Sequence, residues 1–206
     1  TTLVMRAWLA TRQFNAQSVP RPTDAPRVYV AGMSSARVLI FGSGAAIGWG
    51  VVSHELALTG ALARALASRS GRGADVEVVA DMRITARNAL SILHRVDAGA
   101  YDVVVVVLGA NDAAAQTSLT RWVHGLSGIL AHLAASTSSK AQLFVTGIPP
   151  IHSVPGFGHR FGIIATEHAA RINQKSKELC APLDRVTFVP LPQAELRVEF
   201  SKHREE

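Results

Sequence analysis

The sequence predicts an α/β fold in which a doubly wound, five-stranded parallel sheet lies between two layers of helices. Two observations lead to this class. From residue 37 onward, apolar segments of strand length alternate with helical segments, and the run 103–108 is hydrophobic at every position. A strand that is apolar on both faces is typical of the centre of a parallel sheet. Because strands alternate with helices, the expected architecture is a three-layer α/β/α sandwich with right-handed crossovers.

The alternation of strands and helices gives each predicted element a residue range. Strands are predicted at 38–41, 76–80, 103–108, 143–146 and 186–189. Helices are predicted at 56–66, 86–93, 119–133 and 165–179. The helix at 119–133 has the clearest signal, a single apolar stripe at intervals of three and four residues. Five strands connected in this way predict a flavodoxin-like sheet.

Residues 1–36 precede this alternation and show little periodicity. They contain Pro20, Pro22 and Pro26, which predicts an irregular arm packed on the domain rather than a second domain. Residues 37–206 are then a single α/β domain, and a chain of 206 residues that is 48% hydrophobic can bury a substantial core. The lone cysteine, Cys180, falls in a predicted helix and is expected to be a buried structural thiol.

The composition argues against several classes of function. Lys and Arg outnumber Asp and Glu by 21 to 15, which gives a net charge of +6. The basic residues are scattered and do not alternate with aromatic ones, so nucleic acid is not an expected partner. The longest uncharged apolar run, 103–110, is far too short to cross a membrane. No complete targeting signal is recognised, and the compartment and the oligomeric state are left open.

A glycine-rich turn, Gly42-Ser43-Gly44-Ala45-Ala46-Ile47-Gly48-Trp49-Gly50, follows the first predicted strand. Such a turn can cradle a pyrophosphate, hold an exposed nucleophile beside an oxyanion hole, or simply connect two elements. The first use would make the chain an NAD(P)-binding, short-chain-dehydrogenase-like domain, with Asp81 on the ribose. The tyrosines argue against that alternative, because neither Tyr29 nor Tyr101 is followed by a lysine four residues later.

A second turn, Gly109-Ala110-Asn111-Asp112, follows the valine-rich strand. Together with Gly48-Trp49-Gly50-Val51 and Gly147-Ile148-Pro149-Pro150, this Gly-x-Asn-Asp element resembles the SGNH (GDSL-type) hydrolase family over about residues 37–190. The resemblance implies the same α/β/α fold and an esterase or lipase activity on a small ester or acyl compound, without cofactor or metal. In that family a first-block serine attacks the carbonyl, a histidine in a D-x-x-H motif is the base, and an asparagine helps to hold the oxyanion.

The chain departs from the family pattern at the nucleophile. When the first block, usually Gly-Asp-Ser-x-x-x-Gly, is aligned on its two glycines, Ser43 falls on the aspartate and Gly44 on the serine. Ser43 lies one residue early on a sharp turn and is not expected to act as a substitute nucleophile. The second-block glycine falls near Arg83, whose side chain would make the pocket more positive. Asn111 is the position that the resemblance retains as an oxyanion donor.

No histidine has the spacing that the family's base requires. His203 would need an aspartate where Phe200 stands. We therefore expect the C-terminal catalytic block of the domain to be missing, through truncation or degeneration. His152, His159 and His168 have no cysteine or carboxylate at ligand spacing and predict no metal site. The predicted function is an SGNH-type ester hydrolase that is impaired or inactive as written; the alternative is a non-catalytic SGNH-fold binding protein.

Overall fold

The computed structural model describes residues 20–153 and 159–191, whose strands form one six-stranded sheet. The strands are β1 (Arg27–Val30), β2 (Ala36–Gly42), β3 (Ala74–Ala80), β4 (Val103–Val107), β5 (Gln142–Thr146) and β6 (Val186–Val189). Their order across the sheet is β1-β3-β2-β4-β5-β6. Each pair of neighbours from β3 to β6 is parallel. The five predicted strands are therefore confirmed, with bounds that differ from the prediction by at most two residues.

Strand β1 corrects the prediction of five strands. It lies in the segment 1–36, which was expected to be irregular, and it pairs antiparallel with β3 at the edge of the sheet. Val28 is buried, whereas Tyr29 is 60% exposed, so the strand buries only one face. The Arg27 side chain donates to the carboxylate of Asp75 on β3, with 2.6 Å between Nε and Oδ1. A four-residue strand close to three prolines is too short for its alternation to be recognised in the sequence.

The described residues form five α-helices. They are α1 (Leu58–Ser70), α2 (Ala89–Leu93), α3 (Ala110–Ala114), α4 (Leu119–Ser136) and α5 (His159–Cys180). The four predicted helices correspond to α1, α2, α4 and α5. Helix α3 was not predicted, because five residues are too few to display a helical apolar period. None of the described helices is both long enough and apolar enough to cross a membrane.

The two faces of the sheet are buried by different helices. Leu39 and Phe41 of β2 face a core that they share with α2, α4 and α5. Val38 and Ile40 face a second core beneath α1. Since successive side chains of a strand point to opposite faces, an unbroken apolar run is what burial on both faces requires. The predicted three-layer α/β/α sandwich is confirmed.

The carboxyl ends of β2, β3 and β4 meet at one edge of the sheet. Gly42, the last residue of β2, is in register with both Ala80 of β3 and Val107 of β4. The Asp81 N–H donates to the Gly42 carbonyl at 3.1 Å, and the Ser43 N–H donates to the Val107 carbonyl at 2.8 Å. The three turns that follow these strands therefore start side by side, at the edge where doubly wound sheets form their ligand sites.

Candidate active site

In the turn after β2, a glycine without a side chain stands where the resemblance places the nucleophilic serine. Gly44 begins a short 3-10 turn, Gly44–Ile47, with a φ of 61°, in the left-handed region that favours glycine. A Cβ atom built on Gly44 would have the Cβ of Ala110 as its nearest neighbour, at 3.8 Å. Ala110 belongs to the second motif turn, so the structure brings the two turns together. Position 44 has room for a side chain and carries none.

Ser43, the neighbouring serine, is withdrawn from solvent. The residue is 2% exposed, and its Oγ is buried without a hydrogen-bond partner in the described part of the chain. A nucleophilic serine needs both access to the substrate and a base within hydrogen-bond reach. In this conformation the hydroxyl of Ser43 has neither. That Ser43 does not replace the missing nucleophile stays a prediction, and its burial supports it.

Asn111 uses both of its amide hydrogens inside the protein. Its Nδ2 donates to the Met82 carbonyl at 2.7 Å and to the Ile84 carbonyl at 3.0 Å. A side-chain amide has only two N–H donors. An oxyanion could therefore receive a hydrogen bond from Asn111 only after one of these two bonds is broken. The oxyanion role stays a prediction, and the observed role is to hold the loop after β3 against α3.

Arg83 lies on that loop and has an exposed side chain. Its backbone N–H donates to the Asp81 carboxylate at 2.8 Å, and its carbonyl accepts from Asn88 Nδ2 at 3.1 Å. The backbone N–H that the family's glycine would offer to an oxyanion is thus already bonded within the loop. The guanidinium adds a positive charge to this edge of the sheet.

Asp112 holds the same loop at a second point. Its Oδ2 accepts from the Ala86 N–H at 3.1 Å, and its Oδ1 accepts from Thr117 Oγ1 at 3.1 Å. Burial raises the pKa of the Asp112 carboxyl above its ordinary value, and these two hydrogen bonds act in the opposite direction. The sequence gives only a weak signal that Asp112 anchors the loop after β3, because an Asn-Asp pair that follows a strand does not indicate which loop its side chains will bond.

The histidines considered in the sequence have ordinary partners where the structure describes them. His168 Nε2 lies 2.7 Å from the Thr117 carbonyl, and His152 Nδ1 lies 3.0 Å from Thr166 Oγ1. Within residues 20–153 and 159–191, no three His, Cys, Asp or Glu residues are grouped so that they could hold a metal ion. His203 and Phe200 lie outside the described residues.

One histidine that the sequence reasoning missed is paired with a carboxylate. His54 Nδ1 lies 2.8 Å from Asp24 Oδ1, although the two residues are 30 positions apart. His54 lines a cavity beside the first motif turn together with Asp81 and Arg83. No local spacing connects Asp24 with His54, so the sequence holds no signal that could have predicted this pair.

Comparisons with known proteins agree with this fold. The sequence profile of the GDSL-like lipase/acylhydrolase family matches residues 40–205. AlinE4, an SGNH-hydrolase family esterase of known structure, is 20% identical, with a TM-score of 0.60 over 85% of this chain and 86% of its own. The lipase Lip_vut3 from a goat rumen metagenome is 12% identical, with a TM-score of 0.60 over 75% of this chain and 80% of its own.

A third solved structure, the extracellular lipase from Streptomyces rimosus, is 16% identical, with a TM-score of 0.50 over 76% of this chain and 80% of its own. No curated protein sequence matches the chain significantly. At such low identities the solved structures show the shared fold alone. The family profile, in contrast, matches well over half of the chain and includes both motif turns. This chain therefore belongs to the GDSL-like lipase/acylhydrolase family, the SGNH hydrolases.

Proposed function

We propose that this SGNH-family chain no longer cleaves esters through a serine, and that it binds a small ester or acyl ligand at the sheet edge where its two motif turns meet. The observation that carries this proposal is Gly44, which aligns with the family's nucleophile position and lies beside Ala110 without a side chain. Loss of the nucleophile or the base of a serine triad lowers kcat by about 10⁶-fold. That factor corresponds to about 8 kcal/mol of activation free energy.

Three further observations support the loss of serine chemistry. The 206 residues contain no D-x-x-H motif. The amide hydrogens of Asn111 are bonded to two carbonyls of the protein, and the N–H of Arg83 is bonded to Asp81. The hydroxyl of Ser43 is buried. These observations support the proposal that nucleophile, base and oxyanion donors are each missing or already occupied, while the two motif turns still lie side by side.

A fluorophosphonate probe, which labels activated serines, tests the proposal directly. We expect no stoichiometric labelling of the native chain under conditions that fully label an active serine esterase. The same protein should bind p-nitrophenyl butyrate saturably without releasing p-nitrophenol. Labelling that mass spectrometry places on Ser43, and that Ser43→Ala abolishes, would overturn the proposal, as would the absence of any saturable ester binding.

The variant Gly44→Ser restores the missing hydroxyl and separates loss of the nucleophile from loss of the whole site. We expect it to hydrolyse p-nitrophenyl acetate no faster than the unmutated chain, because the 206 residues contain no D-x-x-H histidine to activate the serine. Gly50→Ser is the matched control, since Gly50 also has a positive φ, 87°, and no neighbour within 4 Å of an added Cβ. A rate for Gly44→Ser that exceeds the control by about a hundredfold or more would reveal a working general base.

A further inference from the structure

Two histidines meet where α2 and α4 lie side by side. Leu90 of α2 packs beside Gly128 of α4, since a Cβ built on Gly128 would lie 3.5 Å from Leu90 Cδ2. His94 and His132 come four positions after these two residues, and residues four apart lie on the same face of a helix. Their ring centroids are 4.5 Å apart, with an angle of 66° between the ring planes. The two imidazoles are therefore in edge contact at the junction of the helices, outside both motif turns.

The separation of the two rings fits a shared metal ion. Because a histidine nitrogen lies about 2.0–2.1 Å from a bound Zn²⁺, two imidazoles on one tetrahedral ion have ring centroids about 5 Å apart. The observed distance between the centroids of His94 and His132, 4.5 Å, is close to this value. Rotation of the rings can then direct one nitrogen of each at a common point. Imidazole is a ligand that suits zinc, copper and nickel ions, whereas Mg²⁺ prefers oxygen.

The ring of His132 is available as a ligand. Ser136 Oγ lies 3.4 Å from its Nε2 and 3.5 Å from its Nδ1, which is longer than a usual hydrogen bond. The hydroxyl hydrogen of Ser136 is directed instead at the His132 carbonyl, at 2.8 Å. Burial and the neighbouring His94 both lower the pKa of His132, which favours the neutral ring that metal binding requires.

The ring of His94 gives an ion access to the pair. His94 is exposed, whereas His132 is half-buried, so an ion can reach the junction from solvent and keep part of its water shell. In the part of the chain that the structure describes, no third His, Cys, Asp or Glu joins two others in a metal-binding group. The protein therefore offers two ligands here, and water fills the other positions.

We propose that His94 and His132 together bind one Zn²⁺ ion, which links the end of α2 to α4. The proposal does not rest on the proposed function, since both histidines lie outside the motif turns and the ion takes no part in ester chemistry.

The experiment is a titration of the untagged, ¹⁵N-labelled 206-residue chain with ZnCl₂, followed by NMR through the ring nitrogens of its eight histidines. We expect the ring nitrogens of His94 and His132 to shift together and to saturate at one ion per chain, before those of the other histidines respond. MgCl₂ at the same concentrations should leave them unchanged. A response by only one of the two rings, a response no earlier than that of the other histidines, or an equal effect of Mg²⁺ would overturn the proposal.

Single substitutions distinguish a paired site from the weak affinity of isolated surface histidines. His94→Asn and His132→Asn should each weaken Zn²⁺ binding by about tenfold or more, as measured by isothermal titration calorimetry. His124→Asn is the matched control, because His124 is an exposed histidine of the same helix, two turns before His132, and it should leave the affinity unchanged. An undiminished affinity in His94→Asn, or an equal loss in His124→Asn, would refute the assignment. Because His94 is exposed, its variant remains informative if His132→Asn fails to fold.

Discussion

At the level of single residues, the capacity of the motif turns for catalysis depends on which hydrogen-bond donors are free. Asn111 and Arg83 stand at or near positions where the family resemblance implies oxyanion donors. The side-chain N–H groups of Asn111 donate to the carbonyls of Met82 and Ile84, and the backbone N–H of Arg83 donates to the carboxylate of Asp81. A donor that must first break such a bond contributes less to an oxyanion than a preorganised free one.

The hydrogen bonds of Asn111 predict a measurable role in stability. Asn111→Ala should lower the free energy of unfolding by about 1–3 kcal/mol, because two carbonyls of the loop after β3 lose their donor. Urea denaturation measures this change. Gln116→Ala is the matched amide control, since it removes a single local bond, from Nε2 to the Ala113 carbonyl at 2.9 Å, and should cost less. An Asn111→Ala variant as stable as the wild type would show that these bonds do not hold the loop.

At the level of elements, helix α4 makes the loop after β3 a fixed part of the site. Gly125 of α4 packs directly on Ala86, and a Cβ at Gly125 would lie 2.5 Å from the Ala86 carbonyl oxygen. The N–H of Ala86 in turn donates to the buried Asp112. Gly128, one turn further along α4, has only Leu90 Cδ2 nearby, at 3.5 Å from an added Cβ. The same helix therefore has one glycine that the packing requires and one that it does not.

This contrast predicts opposite effects for the same substitution. Gly128→Ala should raise the free energy of unfolding by about 0.5–1 kcal/mol, because alanine has the better helix propensity. Gly125→Ala should lower it by about 1–3 kcal/mol, because the backbone at Ala86 must move to relieve the overlap. Thermal and urea unfolding of the two variants give the comparison. If both substitutions stabilised the protein, close packing of α4 on the loop would be ruled out.

At the level of the whole molecule, the sheet separates two cores of different composition. Among the described residues, the core beneath α1 contains only aliphatic side chains. The core on the other face also contains aromatic residues and extends to Cys180 at the end of α5. In that core Trp122 Nε1 of α4 donates to Ser176 Oγ of α5 at 3.0 Å, so a buried polar contact joins the two longest helices. The thiol of Cys180 should therefore become accessible only when this core opens.

The single thiol is thus a reporter of global unfolding. Cys180 is 2% exposed, and burial raises its pKa to about 11. Since the thiolate is the reactive form, labelling by Ellman's reagent at pH 8 should be at least about a hundredfold slower in buffer than in denaturing urea. Because the folded pKa lies above the ordinary value of 9.0, the free energy of unfolding relative to Cys180→Ala should fall as the pH rises between these values. Rapid labelling of the native protein would contradict the burial of this residue.

The sequence by itself determined the central sheet and the three layers. Apolar runs and helical stripes are local patterns, so β2 to β6 and α4 could be predicted from neighbouring residues alone. That Gly44 stands at the family's nucleophile position stays a prediction from the sequence, based on alignment of the two glycines that flank the first block. The short elements β1 and α3 could not be predicted, since four or five residues do not display a period.

Tertiary structure alone decided which groups are free and which residues meet. The family resemblance implies an oxyanion donor at Asn111, but only the fold shows that its amide hydrogens are bonded to the carbonyls of Met82 and Ile84. Likewise, Asp24 and His54 are brought together by packing of the segment before β1 against the residues before α1. A hydrogen bond between positions about 30 apart produces no periodic pattern in the sequence. It depends on how the strands and loops pack together, and not on local conformational preference.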